Sequence, residues 1–432
     1  MKSLHNYLST DRRYRDSPDI AIERTQHAVG QGGFHSCTIR VHGERAFEYV
    51  FDCGTKSRGP GETDINAFLQ QHIHKYQPGD GIIDALFISH LDIDHYEGAQ
   101  KLCALKTVSR IYLPYFTIDD ILLVFATHEI STDSRTADYL NNLKEIANGR
   151  RSLFGAPVTM IGADLPSEEG TTEAPSDNPQ RLRAVHIDAN GQKRPISGNL
   201  PNGANIGLSC REIVLPWILR PWSYKQTAAA LKTMSQAIDK IASLKNLKDC
   251  TTAITAADLS AVKENAAALK KQCAEILFAQ TGLRAESNNS NSPSICLYSG
   301  PQARLMPNRD FRYERRASRD KRLRNNPTGW ITTGDCLMSK HWQEFRKHFA
   351  DVLTHVGTYV VPHHGAAGNH SVEFVDAIPG RLAIICARYT SSHHPSKAVM
   401  DCLHEVDDLW LVAHEYAKPI RERIHFSFFE AY

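Results

Sequence analysis

His90-Leu91-Asp92-Ile93-Asp94-His95-Tyr96-Glu97-Gly98 decides the reading of this chain, because it sets four metal-competent side chains within six residues. The apolar run Ala85-Leu86-Phe87-Ile88-Ser89 before it has the length of a strand, and Gly98 opens a helical stretch after it. Imidazole and carboxylate both bind divalent cations, and carboxylate favours the harder ones. His90 and Asp92 are two apart, so in extended backbone they point the same way and can share one ion. Asp94 and His95 fall in the following turn and can reach a second. Burying such groups without a partner is costly, which makes a metal role the economical reading of the cluster.

Four further stretches agree in order: His27-Ala28-Val29-Gly30-Gln31-Gly32, Phe51-Asp52-Cys53-Gly54, Thr333-Gly334-Asp335, and Val361-Pro362-His363-His364-Gly365 with His394-Pro395. Together with the first they resemble the metallo-β-lactamase fold hydrolases, with Asp92 where the signature usually has a second His. That variant is similar to the soluble hydrolase domain of ComEC-type DNA-uptake proteins. The resemblance covers roughly residues 22–115 and 290–430. It implies an α/β fold, an αββα sandwich with metals at one edge; between the two matching stretches this chain's own residue pattern reads as a helical-hairpin insertion.

Composition sets broad limits. Of 432 residues, 41% are hydrophobic and 23% charged, which suits a large globular core, and the net charge of +2 selects no partner. No apolar run approaches the ~20 residues that span a bilayer, so the ComEC channel's transport role does not carry over. The polar start gives no sign of a signal peptide. Ten scattered Cys without a Cys-x-x-Cys pair read as reduced thiols of a cytoplasmic protein.

Residues 1–21 read as a polar arm, 22–115 as the first half of the fold, 116–289 as the insertion, and 290–432 as the second half. Strands are expected at 25–29, 37–41, 47–51, 85–89 and 110–113, with a helix between 64 and 76. In the insertion, 118–148 looks helical and 165–207, rich in Pro, Gly, Ser and Asn, reads as a long loop. Residues 222–246 and 255–280 read as an antiparallel helical hairpin, whose apolar stripe suits packing on the main body or a protein partner. Strands resume at 295–298, 330–333, 359–361, 382–386 and 424–429, with helices at 341–350 and 396–405.

The resemblance assigns roles to the motif residues. Asp94, His95, Asp335 and His394 (or its neighbour His393) would hold one ion, and His90, Asp92 and Asp335 the other. Asp335 would bridge the two ions, and Asp52 would orient the metal loop from behind. His363 or His364 would serve as a ligand or as proton donor to the leaving group, so the catalytic set is Asp94, Asp335, His363 and His364. Many members add a further His before Thr-Gly-Asp; His128 and His186 are the candidates here. His341, His348, His355 and His404 read as surface residues. With Asp92 the site is oxygen-rich, which suits Mn²⁺ or Mg²⁺ as well as Zn²⁺.

Between 304 and 324 nine Arg and Lys face three acidic residues, with Phe311 and Tyr313 interleaved. Guanidinium forks and aromatic faces suit phosphates and unstacked bases, so Arg315, Arg316, Arg319 and Arg322 are substrate-binding candidates. A solvated basic loop is the plainer alternative. The sequence therefore points to a two-metal phosphodiesterase or nuclease acting on nucleic acid or nucleotides. By analogy, such a domain with insertions also fits a bacterial defence effector. The alternatives are hydrolysis of a lactone, thioester or peptide, or a non-enzymatic partner-binding protein, because one fold hosts many chemistries.

Overall fold

Successive residues of the strands around the His-Asp run face two different cores. Tyr49, Phe51, Phe87 and Tyr112 enter a cluster between two sheets, whereas Val50, Leu86, Ile111 and Leu113 pack outward against helices. Period-two alternation with both faces apolar is what a strand buried on both sides requires. The computed structural model describes residues 19–59, 64–76, 78, 80–127, 134–162, 181–188, 190–196, 198–210, 213–224, 235–236, 238–239, 242–249, 252–263, 294–302, 311–314, 327–378, 382–406 and 409–427.

The first sheet has nine strands. From edge to edge they are Phe311–Glu314, Ile420–Ser427, Asp19–Gln26, Phe34–Val41, Glu44–Cys53, Ala85–Phe87, Ile111–Pro114, Ala156–Ile161 and Ser152–Leu153. The second also has nine: Lys193–Pro195, Arg183–Ile187, Asn205–Cys210, Ile213–Ser223, Ile295–Pro301, Gly329–Thr332, Val356–Val360, Leu382–Ile385 and Leu409–Val412. Each sheet is antiparallel in one half and parallel in the other. Parallel pairing runs from Glu44–Cys53 to Ala156–Ile161 in the first and from Gly329–Thr332 to Leu409–Val412 in the second.

Trp217, Leu297 and Trp330 of the second sheet meet Tyr49, Phe87 and Tyr112 of the first in one core. Helices Ile65–Lys75, Ile93–Leu105 and Ser134–Ala147 cover the outside of the first sheet. Helices Met338–Phe349, Val372–Asp376 and Lys397–Glu405 cover the second. The fold class is thus α/β, the αββα sandwich that the resemblance implies. No helix among the described residues is long and apolar enough to cross a membrane.

The range 116–289 needs correction. Six of its segments, from Ser152–Leu153 to Ile213–Ser223, are strands of the two sheets, so it does not stand apart as an insertion. Where the expected loop ends, strand Asn205–Cys210 begins, and its Ile206 and Leu208 alternate into the inter-sheet core. Turn residues around such short strands hid that period. Trp222 and Ser223 end a strand rather than start a helix. Pro216 and Pro221 inside that strand argue against a central ladder position, yet the Pro221 carbonyl still accepts from Gly203 N–H at 3.0 Å.

Of the expected hairpin, helices Ala242–Asp249 and Ala256–Lys263 are described, and 264–280 lie outside the described residues. Leu244, Leu247 and Leu259 join Leu140 and Leu143 in the outer core, so this part of the stripe packs on the body. Ile254 N–H donates to Asn141 Oδ1 at 2.7 Å, and Asn141 Nδ2 returns a bond to the Ile254 carbonyl at 2.9 Å. The arm read as 1–21 already enters a strand at Asp19, where Ile20 and Ala21 are buried.

Trp330 is fully buried, stacked on His35 at 4.0 Å and edge-on to Phe51 at 5.9 Å. Trp330→Ala should lower the free energy of unfolding by about 3–5 kcal/mol, read from urea denaturation of the full chain.

Candidate metal centre

All five motif segments leave the sheets on one side. His90–His95 follows strand Ala85–Phe87, and Asp52 ends the parallel neighbour Glu44–Cys53. Across the sandwich, Asp335 follows Gly329–Thr332, His363 and His364 follow Val356–Val360, and His394 follows Leu382–Ile385. The carboxyl ends of parallel strands are where open α/β sheets bind ligands.

Two groups of side chains converge there: His90, His95 and Asp335, and Asp94, His95 and His364, with ligand atoms in each within 4.8 Å of one another. His90 Nε2 and His95 Nε2 each lie 3.6 Å from an Asp335 oxygen. His364 Nε2 is 3.3 Å from Asp94 Oδ2. The Nε2 atoms of His90, His95 and His364 are buried and have no hydrogen-bond partner among the described residues. A buried ring nitrogen that faces a carboxylate and has no protein hydrogen-bond partner fits a cation ligand.

Their opposite nitrogens are held. His95 Nδ1 donates to Asp52 Oδ2 at 2.7 Å, and His364 Nδ1 to the Cys386 carbonyl at 2.7 Å. Each bond turns Nε2 into the site. Asp52 also accepts from Ser89 N–H at 2.6 Å and Ser89 Oγ at 2.8 Å. His90 Nδ1 lies 2.9 Å from Ser89 Oγ. Asp335 N–H donates to Ser294 Oγ at 3.0 Å, and Asn369 Nδ2 to the Asp335 carbonyl at 2.7 Å.

Asp92 stands at the N-cap of helix Ile93–Leu105, yet its side chain makes no capping bond and faces His90 Nε2 at 3.8 Å. Two motif glycines, Gly32 and Gly54, act through their size. A Cβ on Gly54 would lie 2.4 Å from the Asp94 carbonyl carbon and 2.6 Å from His95 N. Gly32, at φ +144°, would meet the Asp94 carbonyl oxygen at 2.7 Å. The metal loop therefore rests directly on these two backbones.

Charge in the pocket is unbalanced. Burial disfavours a charged His95, but Asp335, Asp52 and Asp94 outweigh it and carry the imidazole up to about 10. Burial likewise disfavours a charged Asp94, yet Lys56 and His95 hold its carboxyl well below the usual range. His363, His95 and His90 do the same for Asp335 against its burial. The carboxylates hold their charge and draw positive charge in, which is the condition for a divalent cation to displace a proton.

The groupings differ from those expected. His364 joins Asp94 and His95, whereas His394 sits further out, its ring 6.4 Å from His364 and 5.9 Å from His363. His393 is exposed. His363 is the more open of its pair, with Nε2 3.4 Å from Asp335 Oδ2 and Nδ1 donating to Asn369 Oδ1 at 2.9 Å. Both residues have left-handed backbone, at φ 45° and 56°, a strain that persists where surrounding contacts enforce it.

His186 lies mid-strand opposite Ile206 and Arg194 and belongs to neither group. His128 lies outside the described residues, as do Arg315, Arg316, Arg319 and Arg322. Phe311–Glu314 of the basic segment pairs with Ile420–Ser427 at the edge of the first sheet. His341, expected at the surface, is buried and stacks on Tyr224 at 3.5 Å. The aromatic partner comes from a distant strand end, beyond the reach of local pattern. Lys56 escaped sequence reasoning, although its Nζ sits 2.7 Å from Asp94 Oδ1. A lone Lys after Asp-x-Gly carries no signal by itself.

No family model and no curated protein matches the chain. Among solved structures it is similar to the crystal structure of human tRNase Z, short form (ELAC1), at 10% sequence identity and a TM-score of 0.31, with 92% of each chain covered. A likeness of that size carries no argument about activity, and the chemistry of this centre rests on its own residues.

Asp52→Asn keeps the shape behind His95 but removes the charge that its Nδ1–H meets. Mn²⁺ or Zn²⁺ affinity, measured by equilibrium dialysis, should fall roughly 10–100-fold while the fold persists.

Proposed function

We propose that the protein is a two-metal phosphodiesterase acting on nucleic acid or nucleotides. The observation that carries this is the convergence of buried His90, His95 and His364, their Nε2 atoms without hydrogen-bond partners among the described residues, on Asp94 and Asp335. His90, His95 and Asp335 would hold one ion, with Asp92 beside His90. Asp94 and His364 would hold the second, close to His95. Asp335 would be shared by both ions: Oδ1 lies 3.6 Å from His95 Nε2, and Oδ2 lies 3.6 Å from His90 Nε2 and 4.0 Å from His364 Nε2. Three aspartates in the set favour Mn²⁺ or Mg²⁺ beside Zn²⁺.

When bound, a pair of divalent cations supplies an activated water and stabilises the attacking and leaving oxygens of an in-line displacement. The chain's own groups orient the reactants. Asp52, Ser89 and Cys386 fix the imidazoles. His363, with Nδ1 committed to Asn369, can hold a proton at Nε2 for the leaving oxygen. His394, half-buried beside it, lines the same rim. Lys56 balances part of the carboxylate charge at the mouth.

Asp335→Asn keeps the shape but loses the charge that would hold two cations together. Phosphodiester hydrolysis should drop on the order of a thousandfold, with circular dichroism unchanged. Wild-type turnover in this variant, at unchanged metal content, would reject the two-metal mechanism.

Replacing Arg315, Arg316, Arg319 and Arg322 by Ala should weaken nucleic-acid binding and flatten its dependence on salt, since each lost phosphate contact removes nearly one released counterion. Binding of labelled DNA and RNA across a salt series reads this out. An unchanged slope, or turnover of lactones instead of phosphodiesters, would favour carbon-centre hydrolysis.

A further inference from the structure

Strands Leu382–Ile385 and Leu409–Val412 are parallel, so the loops that follow them leave the same sheet edge as His363 and His364. Those loops carry an aromatic cluster. Tyr389 lies 4.9 Å from His414 and 5.5 Å from Tyr416, between ring centres. Tyr389 is 66% exposed and Tyr416 56%, and these neighbours are the most exposed large hydrophobic side chains among the described residues. The three rings are tilted or edge-on to one another, at 42–60°, so they do not stack away each other's faces. The loops beneath are fixed: buried Glu415 accepts a hydrogen bond from Tyr389 N–H at 3.0 Å.

Positive charge joins this cluster to the metal centre. Arg388, next to Tyr389, donates through Nη2 to the Lys56 carbonyl, and Lys56 Nζ reaches Asp94 Oδ1 at 2.7 Å. Arg388, next to Tyr389 in sequence, and Lys418, two residues past Tyr416, are exposed. Aromatic faces beside cations, linked through Arg388 and Lys56 to a centre that would cut phosphodiesters, match the two parts of a nucleotide. Bases have faces to stack, and phosphates have charge to pair. A duplex keeps its bases stacked internally and offers a base face only at a frayed end or at the cost of flipping a base out.

We propose that Tyr389, His414 and Tyr416 form a stacking platform for an unpaired nucleobase next to the phosphodiester at the metal centre, with Arg388 and Lys56 facing the phosphates between. The substrate is then single-stranded nucleic acid. This deepens the phosphodiesterase reading and rests on it.

The test uses the full chain and a fluorescein-labelled, phosphorothioate-linked oligo(dA) strand, which resists cutting during the measurement. Tyr389→Ala with Tyr416→Ala should weaken binding of this strand roughly tenfold or more, because base–aromatic stacking is lost. Tyr389→Phe with Tyr416→Phe keeps the ring faces and should restore binding. An abasic strand of equal length should bind the wild type and the Ala variant equally. Equal losses on the two strands, or no loss on oligo(dA), would overturn the platform. Failure of the wild type to cut any phosphodiester would instead overturn the underlying reading of the centre, whatever the platform variants do.

Discussion

Asp52, Asp92, Asp94 and Asp335 are buried beside His90, His95 and His364, where the strand ends of two sheets meet. That much carboxylate charge out of water is tolerable only with positive charge among it. Lys56 supplies part from the rim, and protonated His95 answers part from within. A divalent cation answers the same demand more fully. The surrounding structure keeps the groups together: Gly32 and Gly54 leave no room for the metal loop to move, Ser89 and Ser294 lie behind its histidines, and Asn369 ties His363 to the Asp335 backbone.

The fold was legible where strands are long and both faces apolar. Val50, Leu86 and Ile111 on one face and Tyr49, Phe87 and Tyr112 on the other spell out the parallel half of the first sheet. Helices Met338–Phe349 and Lys397–Glu405 also fall where their spacing put them. The strands between Arg183 and Ser223 were not legible. They are short or carry Gly and Pro, and the ladder and inter-sheet contacts that stabilise them come from residues far along the chain.

Motif order put Asp335 and the His363–His364 pair just after strands, where the structure has them, because strand-end position follows from topology. It did not settle which imidazole enters which group. His364 rather than His394 comes to Asp94, through a backbone turn with two left-handed residues and a bond to the Cys386 carbonyl. Such a turn depends on tertiary contacts that local sequence does not encode. The aromatic cluster at Tyr389 was equally hidden, since its rings come from two loops that meet only when their strands pair.

The central claim is that these buried imidazoles and carboxylates are metal ligands. Crystals soaked in Mn²⁺ and examined by anomalous diffraction test it most directly. The account predicts anomalous peaks between His90, His95 and Asp335 and between Asp94 and His364, with ligand distances of roughly 2.0–2.3 Å. A pocket that stays free of metal at saturating Mn²⁺ and Zn²⁺, or ions bound away from Asp335, would contradict it.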